Sequence, residues 1–111
     1  MSIETNFLFF RGEDITLNFA MLPPTDITGW NLTFTVKNKL GGTTQFTKDN
    51  GGAGGLTLVN AKAGTFKVTI AKADTQGLTP GGFVYDIKRT DSGSNAILAN
   101  GTITLRQEVT L

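Results

Sequence analysis

The sequence predicts an all-β fold, two antiparallel sheets packed face to face, and three observations carry the prediction. Residues 29–37 place Trp30, Leu32, Phe34 and Val36 on one face of a strand and Asn31, Thr33, Thr35 and Lys37 on the other. Further segments with the same period of two recur at spacings of about 8–12 residues with glycine or proline between them, the pattern of a sandwich of about seven or eight strands. Threonine and phenylalanine are abundant, whereas strong helix formers are few.

Taken in order, residues 7–10 read Phe-Leu-Phe-Phe, apolar on both faces, so this stretch is either sandwiched or covers a partner. Residues 11–13 make a bend, and Ile15, Leu17, Phe19 and Met21 then point inward. Pro23 and Pro24 end that strand, because proline donates nothing to a ladder. Ile27 is expected to plug the core beneath the turn. Trp30, the only tryptophan, is expected to anchor it. Residues 39–42 supply a hairpin turn, and Phe46 points inward on the returning strand. Residues 49–55 are rich in glycine with no apolar anchor and are expected to form a mobile loop.

Residues 56–59 make a short strand, and Phe66, Val68 and Ile70 face inward on the next. Residues 72–78 are the one helical stretch, a single turn ended by Gly77, with Leu78 capping the core. Phe83, Tyr85 and Ile87 share a face, with the Tyr85 hydroxyl at the rim. Residues 91–94 form another hairpin. Asn100 and Gly101 have two readings, a hairpin turn or a bulge inside one long last strand. The bulge is preferred, because the first half would otherwise be a very short strand.

Chain length fits one domain, residues 1–111, with residues 1–10 open to a second use as a docking strand or arm. Ten basic and nine acidic residues nearly balance, and the basic ones are scattered, so nothing favours nucleic acid or an anionic membrane as a partner. Residues 1–6 lack a basic leader, and the apolar run after them is far too short to cross a membrane. The expectation is a protein made and kept inside a cell, or assembled there into something larger.

The sequence has no cysteine and no histidine, which removes disulfides, thiolate metal sites and the commonest general base. The serines, Ser2, Ser92 and Ser94, sit at a terminus and in a turn. Glu13, Asp14, Asp26, Asp74, Asp86 and Asp91 are the carboxylates a glycosidase would draw on. Adjacent Glu13 and Asp14 would point to opposite faces of a strand, and most of the others fall in turns, where Asp bonds its own backbone. The loop from Asp91 lacks the further carboxylates of a calcium site. Residues 51–55 lack the Lys-Ser/Thr pair of a phosphate cradle. No catalytic residue, cofactor or metal is expected.

Several pieces stand in an informative order. Arg11, Gly12, Glu13 and Asp14 precede an alternating strand, and Asp26, Ile27, Thr28 and Gly29 lead into the Trp30 strand. Residues 64–70 are followed by Ala73, Asp74, Thr75 and Leu78, then by residues 80–87, and finally by residues 101–105. This order resembles the small immunoglobulin-like β-sandwich proteins and domains of tailed bacteriophages and prophages, modules of which occur in baseplate and other minor virion proteins. The likeness covers about residues 9–110. It implies an immunoglobulin-like sandwich with a non-enzymatic structural or adaptor role on tail, baseplate, neck or capsid. It further implies a protein made in the host cytoplasm and placed in the virion, with other virion proteins as partners and several copies or a homo-oligomer. Phe7, Leu8, Phe9 and Phe10 depart from the pattern. They are either ordinary core or an added docking segment acting by apolar burial or strand addition. The alternative function is a glycan-binding host-adhesion module, for which Tyr85 is the candidate aromatic.

Overall fold

The computed structural model describes residues 3–21, 23–52, 54–91 and 93–109, with the backbone alone for Ile3 and Ser94. Ser2, Leu22, Ala53 and Ser92 of the terminus, turns and loop discussed above lie outside the described residues. Two sheets form a sandwich. The larger holds β1 (Ile3–Glu4), β2 (Phe7–Phe10), β4 (Leu32–Lys37), β5 (Thr44–Asp49), β8 (Gly81–Asp91) and β9 (Ser94–Arg106). Its order is β1-β9-β8-β4-β5, with β2 also on β9. The smaller holds β3 (Ile15–Ala20), β6 (Leu56–Asn60) and β7 (Thr65–Ile70), in the order β3-β7-β6. A 3-10 turn (Ala61–Ala63) joins β6 to β7 within the smaller sheet, and α1 (Lys72–Gln76) leads from β7 across to β8, lying inside the predicted 72–78 stretch.

The architecture is the immunoglobulin-like sandwich, with β5 added beside β4 as variable-type domains add strands there, and with the leading strand moved. In the standard arrangement the leading strand lies beside the second, in the sheet of four. Here the leading segment runs parallel to β9 in the other sheet, so β3 is an edge. β1 and β2 keep the same register along β9 and are two halves of one strand. The break between them falls at Thr5 and Asn6, opposite Gly101 and Thr102.

The core follows the period of two. Leu32, Phe34 and Val36 alternate with half-buried residues along β4, and Phe66, Val68 and Ile70 alternate with half-buried or exposed ones along β7. Phe34 and Phe66 are the largest fully enclosed side chains, and Ile27 is fully buried as the turn's plug. Within the smaller sheet Phe19 stacks on its cross-strand partner Phe66 with centroids 5.3 Å apart, and a ring contact ties the layers together where Phe7 of the larger sheet meets Phe19 edge-on at 6.0 Å. Polar ties close the open end. The buried Thr75 hydroxyl accepts the Gly12 N–H at 2.9 Å, and Asp14 accepts the Lys72 N–H at 2.8 Å, fixing α1 to the bend before β3.

Three expectations change. Trp30 does not anchor the core: it is half-buried at one end, ahead of the first paired residue, Leu32. The Arg89 guanidinium lies 3.9 Å from its ring centroid, held by Asp91, so the indole closes the sandwich end instead of filling its middle. The last strand is continuous, but Gly101 is not a bulge. It sits in register opposite Tyr85, and the extra residue is Leu98, between the pairs Lys88/Ile97 and Ile87/Ala99. The 49–55 loop is tethered. Asp49 accepts the N–H groups of Gly51 and Gly54, while Asn50 accepts from Leu32 N and donates to Trp30 O. Side-chain amides and carboxylates supply the anchors that apolar residues do not.

Candidate functional site

β2 divides by parity. Its odd residues enter the core: Phe9 is buried, and the Phe7 ring lies against Phe9, Phe19 and Tyr85. Its even residues face outward, with Leu8 50% and Phe10 42% exposed. Phe7, Leu8, Phe9 and Phe10 are thus half core and half surface, and the two exposed side chains share the outer face of the larger sheet. β2 has β9 on one side and no strand on the other among the described residues. That free side is partly closed, because Glu13 folds back and its Oε1 accepts the Phe10 N–H at 2.9 Å. The bend is held in turn by Arg11, which reaches Glu108 beyond β9 at 3.0 Å.

Tyr85 belongs to the core, with 4% of its surface exposed, and its hydroxyl donates to the Thr5 carbonyl at 2.7 Å. This bond explains the break between β1 and β2. The Thr5 carbonyl turns inward toward the tyrosine, and the Asn6 side-chain oxygen takes the Thr102 N–H at 3.0 Å. Gly101, cross-strand neighbour of Tyr85, leaves the space that the Thr5 backbone crosses. Burial pushes the Tyr85 hydroxyl up to about 12. Only the neutral hydroxyl donates, and its folded-state value lies above the ordinary one. The stability it contributes is therefore complete below pH ~10 and lost as pH rises through about 12. In thermal melts followed by circular dichroism, the wild type should lose more stability across that window than Tyr85→Phe, which lacks the titrating group.

A shallow hollow of about 550 Å³ lies on the outer face of the larger sheet, bounded by Lys37, Leu40, Val84, Asp86, Ile97 and Asn100. Asp86 stands out among the carboxylates. Burial raises its pKa, opposed by the charges of Lys88 and Lys37. Glu13, Asp14, Asp26, Asp74 and Asp91 each accept a backbone N–H. Asp26 and Asp91 are held below the usual carboxylate range, Asp26 by its bonds to Thr28 and Asp91 chiefly by its bond to Arg89. Asp74 also pairs with Lys48 at 2.7 Å. These groups fix turns and ends, and they do not converge: no cluster of three or more Asp or Glu fit to hold a metal occurs among the described residues. Among those residues no helix is long and apolar enough to cross a membrane.

No protein-family model matches the chain, and no curated protein is similar to it in sequence. Sequence reasoning missed Thr5 and Asn6 as functional positions and, at Glu13, the contact with the Phe10 N–H. Each acts through a contact with a strand or bend whose position no local pattern announces.

Proposed function

We propose that this chain is a non-enzymatic structural or adaptor protein of a bacteriophage virion, present in several copies and docking on tail, baseplate, neck or capsid. The order of sequence elements supports the virion, and one observation supports the docking site. The pair Leu8 and Phe10 stands exposed on an outer sheet face while its neighbours Phe7 and Phe9 are committed to the core. Each is already about half buried, so covering the remainder of either side chain would contribute roughly 0.7–1.5 kcal/mol. β2 is four residues long and Glu13 already occupies one of its N–H groups, so apolar burial fits this surface better than strand addition.

The test is incorporation into particles. Deleting residues 7–10 would remove core, so the informative variant is Leu8→Lys with Phe10→Lys, which alters the exposed pair alone. The expected result is a folded protein, with a melting temperature near the wild type, that is lost from purified particles. Normal incorporation of that variant, or absence of the wild-type chain from particles, overturns the reading. The glycan-adhesion alternative loses its aromatic candidate, since Tyr85 is buried and its hydroxyl is engaged.

A further inference from the structure

Among the described residues the two sheets present four edges, β1 with β2 and β5 on the larger and β3 and β6 on the smaller. Three carry devices that discourage pairing with another strand. β2 is short and capped by Glu13. β5 is bulged at Gln45 and points Lys48 inward to Asp74. β6 is bulged at Val59. β3 has none of these. Its six residues pair one to one with β7, and Ile-Thr-Leu-Asn-Phe-Ala contains no charge and no proline. The place beside it is where an immunoglobulin-like sandwich sets its leading strand, which here lies on β9. Leu17, Phe19 and Met21 keep 6–8% exposure at this edge, whereas Leu32 and Val68 in the interior are sealed.

We infer that the free edge of β3 is a self-pairing surface. Two copies join β3 to β3 antiparallel about a two-fold axis, merging their smaller sheets into one sheet of six strands. A second copy fits on charge and on register. Because side chains alternate, a two-fold keeps both core faces on the same side only when paired residue numbers sum to an even value. The central register of that kind sets Asn18 against Asn18, Leu17 against Phe19 and Thr16 against Ala20, with no charge meeting its own sign. It also runs the acidic start of one strand, Glu13 and Asp14, toward the far end of the other. Lys62 lies at that end, in the 3-10 turn whose closing Gly64 accepts the Met21 N–H at 3.0 Å. A strand of this length spans about 20 Å. The contact is smaller than a standard stable interface, so the dimer is weak, with a Kd on the order of 100 μM.

The test is the mass of the pure protein by sedimentation, from ~10 μM to ~1 mM. The wild type should rise with concentration from 11.8 kDa toward twice that value. Asn18 is exposed at the centre of β3, and like charges there would face each other about 5 Å apart across the axis. Asn18→Lys and Asn18→Asp should each remain monomeric, and an equimolar mixture of the two should associate again. Melting temperatures check folding, with the Asp variant favoured there by its cross-strand neighbour Lys67. A wild type that stays monomeric at ~1 mM overturns the inference. So does association that both Asn18 variants preserve, a mixture that stays monomeric, or association abolished by Leu8→Lys instead. The readout does not involve particles, so it stands or falls apart from the virion reading.

Discussion

Gly101→Ala is expected to lower stability by about 2–4 kcal/mol, a large loss for one methyl group. The cause is a close approach of backbone. A Cβ at this position would overlap the Thr5 carbonyl oxygen and stand 2.8 Å from its carbon and 3.0 Å from the Asn6 side-chain oxygen. Those atoms cannot step aside freely. The Thr5 carbonyl accepts the Tyr85 hydroxyl, the Thr5 N–H donates to Asn100 O at 3.0 Å, and the Asn6 oxygen accepts from Thr102. The methyl therefore either strains β9 or lifts the leading strand away and leaves the buried end of Tyr85 without its acceptor. Urea denaturation measures the loss. Gly82→Ala is the control, because a Cβ there meets nothing within 4 Å, and it should change stability by less than about 1 kcal/mol. Equal effects at the two positions would show that the crossing of Thr5 over Gly101 does not matter.

Phe9→Ala and Phe10→Ala are expected to differ sharply although the residues are adjacent. Phe9 is buried against Phe7 and the core, and its truncation should lower stability by about 3–5 kcal/mol through lost burial and the cavity left behind. Phe10 is exposed on the other face, and its truncation should remain within about 1 kcal/mol. Thermal and urea unfolding of the two variants compare them directly. The comparison matters for function, because a docking surface must be removable without unfolding the protein that bears it. If Phe10→Ala proved as damaging as Phe9→Ala, Phe10 would be core and the proposed docking pair would dissolve.

The exposed pair and the open β3 edge lie on different sheets and suit different contacts. Leu8 and Phe10 offer apolar area beside a guarded edge, fit for a partner's side chains. β3 offers an unguarded, uncharged edge with little apolar surface outside, fit for backbone pairing. A protein that both docks and self-associates would use them separately, and the charge variants at Asn18 and the lysine variants at Leu8 and Phe10 separate the two contacts.

The sequence by itself determined which side faces in for the strands whose residues alternate. Alternation is local: side chains at i and i+2 share a face whatever the rest of the chain does, so Leu17 and Phe19, Phe34 and Val36, and Phe66 and Val68 were all assigned to the core correctly. It also determined the hairpins, the plug at Ile27 and the short helix, where turn residues and glycine act within a few positions. Residues 7–10 defeated that rule, since apolar residues on both faces carry no alternation to read. Only the tertiary structure decided that Phe7 and Phe9 are core, that Trp30 closes an end, that the bulge is at Leu98, and that Gly101 makes room for Thr5. The physical reason is separation along the chain. The parallel pairing of β2 with β9 joins opposite ends of the sequence, and no local pattern of side chains specifies which edge a leading strand will choose or which edge its choice leaves open.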